Sequence, residues 1–175
     1  MYRVTNKDRL AIELSYDHKP TRPDEKARIL KSNGKIERLV QDNVPVGPYR
    51  VWADEEGPGI AMTRTLGDLQ AKKIGLISEP EIQHLELGKG DRFIVLGSDG
   101  VWDVMTSAEV CGFIDQYEPK EKAAEGLVAE CRSRWDEMNK NKKNNSKIGD
   151  LPYTKFGCDD ITAVVCFLHI VIEEN

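Results

Sequence analysis

The sequence has no apolar run long enough to cross a bilayer, which excludes a conventional membrane-spanning helix. Its opening residues, 1–6, lack the apolar segment of a secretory signal peptide. Basic residues are fewer than acidic ones: the sequence has 25 Lys and Arg and 30 Asp and Glu, which gives a net charge of −5. General nucleic-acid binding needs a basic surface, so this charge argues against it. We therefore expect neither a nucleic acid nor a membrane as a partner.

The four cysteines form no CxxC pair, which argues against a zinc ribbon. Cys111, Cys131 and Cys166 lie among apolar residues, as small core side chains do. We expect a reduced protein inside the cell, in the cytoplasm, the nucleus or both. No GxGxxG or Walker loop is present, and no Ser-His-Asp or Cys-His pair follows from spacing. The sequence therefore identifies no residue as catalytic.

The composition, with 39% hydrophobic and 31% charged residues, is that of a globular domain with a core. No internal repeat or linker divides residues 1–175, and we expect one domain. The first half predicts a strand, a helix that begins near a proline and stops at a glycine, a second strand and a long loop. These are Leu10–Leu14, Pro23–Gly34, Lys35–Leu39 and Gln41–Gly59, the last with one short strand around Tyr49–Trp52.

The second half predicts an alternating strand, a nearly continuous apolar strand, a helix opened by a capping box, a longer helix, a solvated loop and a final strand. In order, these are Glu81–Leu87, Arg92–Gly97, a helix from Thr106 to about Tyr117, a helix from Pro119, Asn139–Lys147 and Ile161–Ile172.

Acidic residues stand next to the strongest strands. Asp99 follows the apolar strand closely, and Asp159-Asp160 precede the final strand. Asp103 lies four residues after Asp99, so the two carboxylates face the same side if a helical turn begins here. Each has an ordinary explanation. Asp-Gly is common in turns, an acid near a helix start is favoured by the helix dipole, and paired acids in a loop are usually solvated.

Together, Asp99, Asp103 and Asp159 form a metal-site hypothesis. A strand that ends in Asp delivers a carboxylate to the sheet edge, and like charges brought close together repel unless a cation neutralises them. All three ligands would supply oxygen, which favours Mg²⁺ or Mn²⁺ over zinc.

Two further motifs each have a structural and a functional explanation. Arg64 and Asp68 lie in the segment Arg-Thr-Leu-Gly-Asp, where an internal Arg–Asp tie would shape the loop, although Asp68 could also lie near the site. His18 could serve as a general acid, but its turn supplies no fixed partner. We expect a structural or solvated role for His18.

Several blocks, in this order, resemble the metal-dependent protein serine/threonine phosphatases of type 2C, in the form found in plants and protists. The most specific block is Phe93–Val104, which reads Phe-Ile-Val-Leu-Gly-Ser-Asp-Gly-Val-Trp-Asp-Val. The others are Asp17–Pro20 with Glu25–Ile29, Pro58–Asp68, Ile77–Ile82 and Asp159–Val164.

The resemblance implies an α+β fold, an antiparallel β-sandwich flanked by helices, of which residues 1–175 are the C-terminal part. It implies phosphoserine and phosphothreonine protein substrates and Mg²⁺ or Mn²⁺, with two or more ions in the complete domain. Asp99 and Asp159 match the metal ligands of the core site, and Asp103 matches a ligand of an additional site. Residues 21–54 correspond to a flap beside the site.

The resemblance is incomplete in two respects. Asp160 stands where many members of the family have Asn, although some plant-type members have Asp there. The Asp-Gly-His-Gly motif of the family's N-terminal half, with its metal-bridging Asp, is not among the 175 residues. We therefore expect a truncated chain with little activity alone, which self-associates or exchanges strands through exposed sheet surface. The alternative is a non-catalytic, pseudophosphatase-type binding module.

Overall fold

The computed structural model describes residues 1–4, 8–41, 43–53, 59–144 and 159–170, with the backbone alone for Val4 and residues 141–144. The chain divides into two compact units. Unit 1 comprises Met1–Leu14 and His84–Asn175, and unit 2 comprises Ser15–Gln83. The assignment of residues 1–175 to one catalytic domain stays a prediction.

The described residues form the following elements. The strands are β1 (Tyr2–Val4), β2 (Arg9–Ala11), β3 (Lys35–Gln41), β4 (Val44–Trp52), β5 (Asp91–Gly97) and β6 (Ala163–Phe167). The helices are α1 (Pro23–Lys31), α2 (Leu69–Lys72), α3 (Asp99–Trp102), α4 (Ser107–Gln116) and α5 (Ala123–Asn144), with a 3₁₀ turn at Lys120–Lys122 before α5.

Unit 1 is built on an antiparallel sheet with the strand order β2-β1-β5-β6, called the larger sheet below. The apolar strand predicted at Arg92–Gly97 is confirmed as β5, and it pairs with both β1 and β6. Its pairing with β6 runs from Phe93 opposite Phe167 to Gly97 opposite Ala163. Because the two strands are antiparallel, β5 ends at the sheet edge where β6 begins.

Helices α4 and α5 supply most of the remaining core of unit 1. Phe93 from β5 is buried in one cluster with Val110 and Ile114 of α4 and with Leu127 and Cys131 of α5. The predicted capping box is confirmed: the Thr106 hydroxyl accepts from the backbone N–H of Glu109, and the Glu109 carboxylate accepts from the N–H of Thr106. These bonds satisfy amides at the start of α4 that have no helical partner.

Unit 2 contains α1, α2 and the two-stranded sheet formed by β3 and β4. The helix predicted from Pro23 is confirmed, with acidic residues in its first turn and basic residues in its last, as the helix dipole favours. Ile29 of α1 packs in a buried cluster with Val51, Ala71 and Leu76. Gly34 lets the chain turn back, because a Cβ there would lie 2.8 Å from the Ile74 carbonyl oxygen.

The long loop predicted at Gln41–Gly59 is wrong over most of its length, because Val44–Trp52 forms strand β4. The Pro and Gly residues that suggested a loop are accommodated by an irregular register. Arg38 pairs with Tyr49 and Leu39 with Val46, so Gly47 and Pro48 are extra residues on β4. Proline is tolerated in a strand at such irregularities and at sheet edges.

The predicted strand Glu81–Leu87 is also wrong, because the described residues include no ladder partner for it. Its apolar side chains are instead exposed at Ile82, Leu85 and Leu87. Alternation alone is therefore a weak indicator of a strand when no neighbouring strand is available.

Three smaller predictions are corrected near the C-terminus. Helix α5 continues to Asn144, into the run predicted as a loop, and lysine is a good helix former. The final strand is shorter than predicted, since β6 spans only Ala163–Phe167 and residues 171–172 lie outside the described part. Cys166 was expected in the core but is exposed, because β6 alternates and places it on the less buried face. Cys111 and Cys131 are buried as predicted.

Within the described part of the chain, no helix combines the length and the apolar character that a membrane span requires.

The unit 1 core gives a direct stability prediction. Leu127→Ala removes a fully buried side chain from the cluster around Phe93 and should lower the free energy of unfolding by about 2–5 kcal/mol. Leu87→Ala, at a residue that is 45% exposed, should change it by less than about 0.5 kcal/mol. Urea unfolding followed through the amide NMR signals of unit 1 measures both. Equal losses in the two variants would contradict the assignment of Leu127 to the core.

Candidate metal site

The larger sheet places two of the predicted metal ligands at the same edge. Asp99 comes two residues after the end of β5, and Asp159 comes four residues before the start of β6. Gly97 and Ala163, the ends of these strands, are paired with each other. Asp99 and Asp159 therefore flank one corner of the sheet, and both are exposed to solvent.

Ser98 connects the two segments that carry these acids. Its hydroxyl donates to the Asp160 carbonyl oxygen at 2.9 Å and accepts from the Thr162 backbone N–H at 3.1 Å. Its own backbone N–H donates to the Thr162 carbonyl oxygen at 3.0 Å. One serine thus ties the residue before Asp99 to the residues after Asp159.

Asp103 joins the same corner through a helical turn. The backbone N–H of Asp103 donates to the Asp99 carbonyl oxygen at 2.8 Å across α3, which confirms the turn expected from the sequence. Residues four apart lie on the same face of a helix, so both aspartates are on one side of α3. Asp103 is exposed, as Asp99 is.

Backbone amides orient two of the carboxylates. Asp99 Oδ1 accepts from the N–H of Gly100 at 3.0 Å, and Asp159 Oδ1 accepts from the N–H of Asp160 at 2.8 Å. The donor set that this corner offers is carboxylate oxygen, which fits a hard divalent cation such as Mg²⁺ or Mn²⁺. The assignment of Asp99, Asp103 and Asp159 as metal ligands stays a prediction, as does the identity of the metal.

Unit 2 contains a separate acidic group that the sequence did not indicate as a site. One carboxylate oxygen from each of Asp24, Glu25 and Glu81 lies within 4.8 Å of the others. Arginines already neutralise this group. Arg22 binds Asp24 at 2.7 Å and also Glu81, and Arg64 binds Glu25 at 2.6 Å and Glu81 at 3.0 Å. The arrangement is typical of an internal ion-pair network rather than of a cation site.

Glu25 is the fully buried member of this network. Its carboxylate also accepts from Arg28 and from the Thr63 hydroxyl. Burial raises the pKa of Glu25, but the hydrogen bonds from Arg28, Arg64 and Thr63 outweigh it and hold that pKa well below its ordinary value of 4.5. Glu25 is therefore charged at neutral pH.

The network corrects one prediction. Arg64 has the expected structural role, but its partners are Glu25 and Glu81 rather than Asp68. Asp68 has a left-handed backbone, with φ of 47°, immediately before α2. His18 lies beside this network: its Nε2 is 3.3 Å from Glu81 Oε2 without the geometry of a hydrogen bond, and its carbonyl oxygen accepts from the N–H of Thr63 at 2.9 Å.

Part of this network was detectable in the sequence. Arg22, Glu25 and Arg28 follow one another at intervals of three residues, the spacing at which oppositely charged side chains meet along a helix. The contribution of Thr63 and Arg64 was not detectable, since they lie 38 and 39 residues further along the chain.

The family model described as "Protein phosphatase 2C" matches residues 4–140, and the chain belongs to this family. It is 35% identical to "Probable protein phosphatase 2C 48" of Oryza sativa subsp. japonica and 36% identical to "Probable protein phosphatase 2C 73" of Arabidopsis thaliana. Each match covers 91% of this chain, and they cover 40% and 39% of those proteins, respectively. The chain thus spans about two fifths of the length of these relatives.

The fold agrees with a crystal structure of serine-threonine phosphatase 2C from Toxoplasma gondii. The TM-score is 0.74 at 24% sequence identity, over 95% of this chain and 50% of that one. The α+β, antiparallel type 2C phosphatase fold predicted from the sequence is therefore confirmed.

The Glu25 network generates a prediction for unit 2. Glu25→Gln leaves Arg22, Arg28 and Arg64 around a neutral buried amide. It should lower the free energy of unfolding by about 3–5 kcal/mol, the usual cost of breaking a buried ion pair from one side. Glu37→Gln, at an exposed glutamate of the same unit, should change it by less than about 0.5 kcal/mol. Urea unfolding followed by the amide NMR signals of unit 2 measures the free energy of unfolding of the parent and of both variants.

The stability of the parent chain and that of Glu25→Gln should depend differently on pH. Because the pKa of Glu25 is lower in the folded state, its stabilising contribution is complete above the ordinary pKa of 4.5 and is lost as the pH falls through the folded-state pKa. The stability gap between the parent and Glu25→Gln should be constant from pH 7 to about pH 5 and should narrow in more acidic solution. A gap that widens on acidification would contradict the ion-pair assignment.

Proposed function

We propose that this chain supplies the C-terminal part of the catalytic domain of a metal-dependent protein serine/threonine phosphatase. The single observation that carries the proposal is the sheet corner at which Asp99, Asp103 and Asp159 are brought together in a chain of the protein phosphatase 2C family. The substrate class is a phosphoserine or phosphothreonine protein.

In this proposal the three aspartates hold Mg²⁺ or Mn²⁺ and no side chain of this chain acts as a nucleophile. When bound, such ions lower the pKa of a coordinated water and offset charge on the phosphoryl group. The role of the chain is to hold carboxylates at fixed positions on an exposed edge that a large phosphoprotein can approach. The exposure of Asp99, Asp103 and Asp159 supports that role.

The alternative, a non-catalytic binding module, receives no support from the relatives, which are named as phosphatases. An intracellular location, in the cytoplasm, the nucleus or both, remains our proposal. The free thiols of Cys111, Cys131 and Cys166 support it, because structural disulfides are typical of secreted proteins.

A chimera tests the proposed function. The N-terminal half of the rice relative, where the family resemblance places the Asp-Gly-His-Gly motif, is joined to this chain and assayed on a phosphothreonine peptide with Mn²⁺. We expect metal-dependent phosphate release, and we expect Asp99→Asn or Asp159→Asn to reduce it at least about 100-fold, since each removes a carboxylate ligand. The 175-residue chain alone should release little or no phosphate.

Asp160→Asn is the matched control for that experiment. It changes the residue beside Asp159 to the one that many family members carry, and it leaves intact the backbone carbonyl that Ser98 contacts. It should retain most of the activity. An inactive chimera, or full activity in Asp99→Asn, would refute the proposed metal site. Strong hydrolysis by the chain alone would refute the prediction that the N-terminal motif is required.

Self-association is a second prediction. On the larger sheet, Leu96 of β5 is 64% exposed and Val164 of β6 is 52% exposed, and exposed apolar sheet surface favours association. We expect dimerisation or strand exchange of the isolated chain, measured by light scattering. Replacing Leu96 with Lys should shift the chain toward the monomer, whereas replacing Leu66 with Lys, in unit 2 and 89% exposed, should not. A parent chain that is monodisperse and monomeric would contradict this expectation.

A further inference from the structure

We propose that Ser98 and Trp135 are positioning residues that set the spacing of the metal-binding carboxylates. The inference rests on the proposed function, because it assumes that Asp99 and Asp159 bind the metal. It adds two residues that contribute no carboxylate and whose hydrogen bonds hold the segments that do.

Ser98 acts at the junction of the two strands. Its hydroxyl is inserted between the Asp160 carbonyl, to which it donates, and the Thr162 N–H, from which it accepts. These contacts span 62 and 64 residues of sequence, so they fix the segment of Asp159 against that of Asp99 and are not a local turn. Both contacts lie beyond the last paired residues of β5 and β6, where they add to the one backbone bond from the Ser98 N–H to the Thr162 carbonyl oxygen.

Trp135 holds the Asp99 segment at Gly100. Its indole Nε1–H, from α5, donates to the Gly100 carbonyl oxygen at 2.9 Å. Helix α3 has only four residues, too few for a stable helix by itself, so its position depends on such tertiary contacts. An anchored Gly100 fixes the backbone on which Asp99 and Asp103 both stand.

Gly100 shows how closely the two segments are held. A Cβ at this position would lie 2.6 Å from the Asp160 carbonyl oxygen, so the backbones are in direct contact. The hydrogen bonds of Ser98 and Trp135 therefore hold the residues immediately before and after Asp99. A small relaxation on either side would alter the separation of Asp99 and Asp159.

Metal affinity should report this relaxation directly. Changes in groups that orient metal ligands typically weaken metal binding by about 10–100-fold. We expect Ser98→Ala and Trp135→Phe each to raise the Mn²⁺ dissociation constant of the 175-residue chain about tenfold. Binding is measured from the electron paramagnetic resonance signal of free Mn²⁺, titrated into the millimolar range, which needs no catalytic activity.

Matched controls separate positioning from general structural damage. Ser98→Thr keeps a hydroxyl and should keep parental affinity. Trp52→Phe removes an equivalent indole contact, to the Glu37 carbonyl in unit 2, and Ser107→Ala removes a hydroxyl contact to Glu13 in unit 1. Both should bind Mn²⁺ as the parent does. Circular dichroism measures whether each variant is folded. If Ser98→Ala does not fold, the Mn²⁺ affinity of Trp135→Phe tests the positioning inference.

Asp99→Asn distinguishes failure of this inference from failure of the proposed function. If Asp99→Asn weakens Mn²⁺ binding while Ser98→Ala and Trp135→Phe bind as the parent does, the positioning inference is wrong and the metal site stands. If Asp99→Asn itself binds Mn²⁺ like the parent, the site is elsewhere and both proposals fall. Weakened binding in all three, with unchanged controls, supports both.

Discussion

The antiparallel pairing of β5 with β6 is the constraint on which the rest of unit 1 depends. It places Phe93 against Phe167, where the helices complete the core, and it aligns Gly97 with Ala163 at the opposite end of the ladder. The same hydrogen-bonded register thus determines both the packing of the core and the position of the acidic corner. A shift by one residue would turn the buried face of β5 outward and separate the segments that Ser98 joins.

Unit 2 depends on a different kind of interaction. Its buried Glu25 is surrounded by Arg28, Arg64 and the Thr63 hydroxyl, and an ion pair of this kind stabilises only while every partner is in place. The network joins α1 to the segment that precedes α2, which includes part of the block resembling type 2C phosphatases. The network therefore gives Thr63 and Arg64 of this block a structural role.

The sequence was most informative where the determining contacts are local. The capping box at Thr106 and the apolar run of β5 identified their elements correctly, and the turn from Asp99 to Asp103 followed from helical spacing. It was least informative where a partner far along the chain decides the outcome. Strand β4 contains prolines and a glycine that are typical of loops, and only its pairing with β3 makes it a strand. The hydroxyl of Ser98 likewise gives no indication, in sequence, of contacts more than 60 residues away.

The late position of Asp159 and β6 in the chain has a consequence for how the protein is made and how it fails. Folding of the acidic corner must wait until β6 has left the ribosome, because β5 acquires this second neighbour from residues synthesised more than 60 positions later. A premature stop codon or a proteolytic cut just ahead of Asp159 would remove a carboxylate, both acceptor and donor partners of Ser98 and one side of β5 in a single event. A single break at this point would then disrupt the acidic corner and the larger sheet together.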